Sequence, residues 1–201
     1  MEEYSNPSKN IFKYIAYLCL AVGAFFIIRH FTKSSEMDAG SKKDMALFIQ
    51  NSIIDIDRKL KNNGVHEDVS SFVSWNKSNT ALYNDAKDNK DKLIKQQSEI
   101  LKDRMVKIQT REFPEMRDEY VNLKKDVLLQ EKIQISASGK AKEILVFSGN
   151  VFEPKRTKRK FLKDIKQIAK DLRFKEVIFK WSDKREDYSS YQIDSKTDSE
   201  I

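Results

Sequence analysis

Between residues 42 and 61 the apolar positions Met45, Ile49, Ile53, Ile56 and Leu60 fall four, four, three and four residues apart. That spacing lines one face of a 3.6-residue helix. Asn62, Asn63 and Gly64 then supply a stop with a left-handed cap. A shorter helix is expected over 67–75, carrying Val69, Phe72 and Val73. The stretch 78–92 is ambiguous. Leu82 and Tyr83 begin well, but from Asn84 to Lys92 only Ala86 is apolar. From Leu93 the period returns through Ile94, Gln97, Leu101, Met105 and Ile108. Pro114 has no backbone N–H and suits the first turn of a new helix after a break at Phe113. Met116, Tyr120, Leu123 and Val127 then step four, three and four. The expectation for 80–131 is a helical hairpin or one long kinked helix.

Beyond residue 131 the period drops to two. Ile133, Ile135 and Ala137 alternate over 132–137, and Ser138-Gly139-Lys140 reads as a turn. Residues 143–147 contain Ile-Leu-Val-Phe, a run suited to a strand buried on both faces. Helical spacing reappears over 158–172 in Phe161, Ile165, Ile168 and Leu172. Val177, Phe179 and Trp181 alternate over 175–181, and Tyr191 and Ile193 mark a last strand over 187–193. The order β-β-α-β-β predicts a four-stranded antiparallel sheet with one helix on a face and the 115–131 helix covering the other. A sheet this small is marginal alone, so the upstream helices must complete its core. Residues 43–131 and 132–193 are therefore read as one α+β domain, with a frayed polar tail over 194–201.

The amino-terminal pattern differs in kind. Residues 11–31 read IFKYIAYLCLAVGAFFIIRHF, with fifteen uncharged residues from Tyr14 to Ile28. About 20 mostly apolar residues span a bilayer. Lys13 and Arg29 can extend along their stems to the headgroups. No small-residue cleavage site follows, and no polar stripe interrupts the run, so an uncleaved single-pass transmembrane helix is expected rather than a signal peptide or a core helix. Tyr14, Leu18, Leu20, Val22, Phe25, Phe26, Ile27 and Ile28 are the residues expected to anchor it in the membrane. Residues 1–10 form a short tail ahead of it, and polar residues 32–42 a juxtamembrane linker. Lys9 and Lys13 on one flank face Arg29, Lys33, Lys42 and Lys43 on the other. By that narrow excess the domain is expected on the cytoplasmic side of the cell membrane, with the opposite orientation, the short amino tail inside, as the alternative.

Composition trims the functional classes. The 201 residues hold two His, one Cys and five Gly. A disulfide scaffold and a Cys-rich zinc module are excluded. A hydrolytic triad would need His30, at the membrane edge, or His66, in a turn, and neither has a partner at catalytic or metal spacing. Cys19 lies in the apolar run, where a thiolate is poorly solvated. The glycines are not spaced as a phosphate loop. No catalytic residue, cofactor or metal is expected.

Charge adds one local feature. Between Val151 and Lys180 eleven Lys and Arg face four acids, an excess equal to the net charge of +7 for the whole chain. Arg159, Lys163, Lys166, Lys170 and Arg173 step four, three, four and three, opposite the apolar stripe, with Lys155 and Arg156 just before them. These seven are the candidate contacts for an anionic partner. The solvated face of an ordinary surface helix is the plainer explanation of such a stripe. The expected function is a single-pass, membrane-anchored, non-enzymatic interaction or scaffold protein that presents an α+β domain to a protein partner or to copies of itself. The alternative is a module that binds lipid headgroups or nucleic acid through the basic helix face. Nucleic acid is the weaker branch, because aromatics are not interleaved through the basic run.

Overall fold

The computed structural model describes residues 39–62, 68–181 and 188–201. The expected transmembrane run lies outside them, as do Cys19, His30 and His66. Among the described residues no helix is long and apolar enough to cross a membrane. Residues 46–201 form one compact unit, and residues 1–45 belong to another, of which only the first turns of a helix are described.

Helix α1 covers Ala39–Lys61, so the last part of the expected linker is already helical. Its Ile49 and Ile56 are fully buried, as the four-three spacing requires. Helix α2 covers Val69–Lys87. Its amino end is capped by Asp68, whose carboxylate accepts from the Ser71 N–H at 2.8 Å. The expectation of a helix ending near residue 75 is corrected. The buried stripe continues as Val69, Phe72, Asn76, Asn79, Tyr83 and Ala86, so helical spacing persists with two asparagines at core positions. Asn79 donates to the Trp75 carbonyl at 3.0 Å, and Asn76 accepts from Gln109.

Helix α3 covers Lys92–Gln130 and runs through Pro114. Asp91 caps it by accepting from Leu93 and Ile94. The expected break at Phe113 is not observed; the hairpin that forms is a different one, between α2 and α3, turning at 88–91. A proline inside a helix costs about 3 kcal/mol. Here Glu112, Phe113, Met116 and Arg117 are all buried on either side of it, and tertiary packing holds the segment helical.

The sheet comprises β1 (Gln134–Ser138), β2 (Ile144–Ser148), β3 (Glu176–Lys180) and β4 (Tyr188–Gln192) in the order β1-β2-β3-β4. A single 3-10 turn at Asn150–Phe152 and helix α4 (Lys155–Asp171) connect β2 to β3. The outer pairs are antiparallel, but β2 and β3 are parallel, with Leu145 beside Val177 and Phe147 beside Phe179. The sheet is therefore mixed, not antiparallel. The cause is the connection. A 17-residue helix is roughly 25 Å long and carries the chain back past the start of β2, so β3 must run the same way.

One face of the sheet carries the core. Ile135, Leu145, Phe147, Val177 and Phe179 share a cluster with Phe72, Phe113, Met116 and Tyr120 from α2 and α3, and with Ile165 and Ala169 from α4. Both α3 and α4 therefore lie on this face, which corrects the expectation that 115–131 would cover the opposite one. The opposite face presents Gln134, Ser136, Ser190 and Gln192 to solvent around Val146. Residues 194–201, expected to fray, are held down: Ser195 Oγ donates to the Phe174 carbonyl at 2.7 Å, Lys175 donates to the Ser195 carbonyl, and Asp198 meets Arg117.

Candidate functional site

Helix α4 shows how the sequence builds a one-sided charge. Its first turn holds Lys155 and Arg156 after Pro154, with no acid and no side-chain cap. Cations there oppose the helix dipole, so local helix stability does not explain them. Lys155, Arg156, Arg159, Lys160, Lys163 and Lys166 are all exposed. At 100° per residue they fall within an arc of roughly 140°. The core side of the helix is formed by Phe161, Ile165 and Ile168. Among the described residues none of the six makes an ion pair.

Lys170 and Arg173 depart from the stripe as it was read from spacing. Lys170 is half-buried, and Arg173 lies past the helix end, only 5% exposed, in the left-handed region with φ 57°. Arg173 Nη1 donates to the Thr197 carbonyl at 2.6 Å and reaches Gln109 Oε1 at 3.5 Å, and the guanidinium lies 4.4 Å from the centre of the Phe113 ring. Burial pushes its pKa down to about 10, against the opposing pull of Asp198 and Glu200; the nearby Arg117 charge adds to the lowering.

Arg117 is the centre of a second arrangement that spacing alone did not expose. It is 1% exposed. Nε donates to the Leu172 carbonyl at 2.9 Å, Nη1 to the Ala141 carbonyl at 2.7 Å and Nη2 to the Arg173 carbonyl at 3.0 Å. The same two terminal nitrogens hold Asp198 in a fork, at 2.9 and 2.6 Å. Arginine's five fixed donors let one side chain bind the β1–β2 turn, the end of α4 and the carboxyl-terminal segment together. Lys158 does comparable work at the far edge. It is 3% exposed, donates to Ser189 Oγ at 3.0 Å and sits 4.1 Å from the Trp181 ring centre, joining α4 to β4.

Two depressions flank these groups. A cleft of about 400 Å³ lies between α2, the end of α4 and the carboxyl-terminal segment, lined by Asn76, Lys77, Thr80, Lys170, Arg173 and Lys196 among others. A second, of about 310 Å³, opens at the carboxyl ends of β2 and β3, lined by Ser148, Gly149, Asn150, Lys180 and Trp181 among others. Gly149 is needed there for space: a Cβ would stand 2.8 Å from the Lys132 carbonyl oxygen. Gly149→Ala is expected to cost about 1–3 kcal/mol, read as a lower urea midpoint with unchanged slope.

Among the described residues no group of three His, Cys, Asp or Glu is placed to hold a metal ion. No protein-family model, curated protein or solved structure matches the chain. What the molecule itself defines is an α+β domain of four helices and a four-stranded mixed sheet packed on helices.

Proposed function

We propose that the chain is a single-pass, membrane-anchored interaction protein without catalytic activity, whose α+β domain meets an anionic partner surface through α4. The observation that carries this reading is the arc of six exposed cations on α4 with no ion-pair partner among the described residues. Solvent-exposed charges usually lie among opposite charges, whereas this arc projects a field of one sign. At physiological ionic strength that field reaches about 8 Å, so the partner must come close. The apolar run at 11–31 supplies the tether and keeps the domain near the bilayer.

The test is the full chain recovered from native membranes, beside the triple variant Arg159→Glu, Lys163→Glu and Lys166→Glu. An acidic protein partner is expected with the wild type, released as salt rises and absent from the variant. An unchanged set of salt-insensitive partners would refute the role of α4. The lipid alternative is read in the same pair, in nanodiscs with and without phosphatidylserine. There the anionic lipid would shield the α4 lysines of the wild type from amine labelling. The three substitutions lie on exposed positions, so the thermal midpoint should move little.

A further inference from the structure

We infer that the cleft between α2 and the end of α4 is a binding site for a phosphate monoester, with Arg173 at its floor and Lys170 and Lys196 at its rim. The argument starts from an imbalance. Buried charges in proteins are normally paired. Arg173 is 5% exposed, yet among the described residues no carboxylate lies within ion-pair distance of it. Its hydrogen bonds go to the Thr197 carbonyl and the Gln109 amide oxygen, and both start from Nη1. Among the described residues Nε and Nη2 make no hydrogen bond.

The nearby carboxylates are already committed. Asp198 gives both oxygens to Arg117. Asp171 accepts from Lys77 at 2.7 Å on one oxygen and from Gln167 at 2.9 Å on the other. Glu200 accepts from the Thr197 N–H. The cleft is thus lined by Lys77, Lys170, Arg173 and Lys196 against Asp171 alone, an excess of three positive charges. Lys170 and Lys196 have no ion-pair partner among the described residues.

The ligand class follows from that chemistry. A planar guanidinium flanked by two ammonium groups matches the several acceptor oxygens and double charge of a phosphate monoester better than a single carboxylate. Asn76, Thr80 and Asn84 on one face of α2 offer amide and hydroxyl groups to the esterified portion, and Val73 and Ala81 give it apolar wall. A volume of about 400 Å³ admits a phosphate with a small organic group. The cleft is separate from the exposed arc of α4, so this inference stands or falls independently of the partner proposed there.

The monoester can arrive as a soluble compound or as a lipid headgroup, and two arms separate these. The full chain is placed in phosphatidylcholine nanodiscs. One arm adds glycerol 3-phosphate, measured by calorimetry and by the thermal midpoint against chloride at equal ionic strength. The other replaces part of the lipid with phosphatidic acid. The variant is Lys170→Gln with Lys196→Gln, which leaves Arg173 in place and the fold intact. A midpoint rise with glycerol 3-phosphate, with affinity about tenfold weaker in the variant, establishes the site with a soluble source. A rise with phosphatidic acid alone, absent from the variant, establishes it with a headgroup source. No rise beyond chloride in either arm overturns the inference. So does an equal rise in the variant, or a phosphatidic acid effect abolished only by the α4 triple substitution. Arg173→Gln is the second variant, and it should abolish binding in whichever arm the wild type responds.

Discussion

Arg117→Ala is expected to lower the free energy of unfolding by about 3–5 kcal/mol, the usual cost of breaking a buried ion pair by removing one partner. Ordinary domains hold only about 5–15 kcal/mol in all, so the loss is a large share. Three carbonyls, those of Ala141, Leu172 and Arg173, lose their donor at once. Asp198 loses a bidentate partner, although its side chain is 16% exposed and recovers some hydration. Asp198→Asn separates the contributions. It keeps the shape and removes the charge, and should cost clearly less than the arginine change because the three carbonyl bonds survive. Urea unfolding of the two variants beside wild type checks the order. If Arg117→Ala moved the midpoint no further than Asp198→Asn, the carbonyl bonds would contribute nothing net.

Phe179→Ala is the other large effect, at about 3–5 kcal/mol for a fully buried phenylalanine. The ring of Phe179 lies 4.8 Å from Phe152, 5.7 Å from Phe147, 6.0 Å from Phe161 and 5.7 Å from Tyr191, centroid to centroid. It therefore touches the sheet, the 3-10 turn and α4 together. Such interiors are packed as tightly as organic crystals, and four neighbouring rings cannot all move into the space left by one. Loss of near-ultraviolet circular dichroism with little change in helix content is the expected signature, together with the drop in midpoint. Phe179→Leu, which retains most of the volume, should recover more than half of the stability.

The elements were legible where each buried position is apolar. Ile49 and Ile56, Leu101, Met105 and Ile108, and Val177 and Phe179 all occupy the core that their spacing announced. Legibility failed where a polar residue fills a core position. Asn76 and Asn79 hide the middle of α2: Asn76 is met by Gln109, 33 residues away and brought near only by folding, while Asn79 bonds the Trp75 carbonyl one turn back in its own helix. It failed again at Pro114, where packing overrides a local preference. Strand direction was also out of reach: the same β-β-α-β-β order allows either, and the reach of α4 decides. The stripe on α4 was readable as far as Lys166. Arg173 falls on the right spacing but beyond the helix, where the chain turns inward. Arg117 gave no signal, since an arginine between Met116 and Asp118 looks like any surface cation until its distant partners are known.

Those distant partners bear on the order in which the domain assembles. Arg117 joins groups 24, 55, 56 and 81 residues further along the chain. The α2–α3 hairpin and the β1–β2 hairpin can form from near neighbours, but the β2–β3 pairing must await α4. Contacts that close last are weakly developed at the folding barrier. The arginine fork should then act as a clasp: its removal leaves the refolding rate nearly untouched and shortens the lifetime of the native state, so that resistance to proteolysis falls although the protein still folds on time.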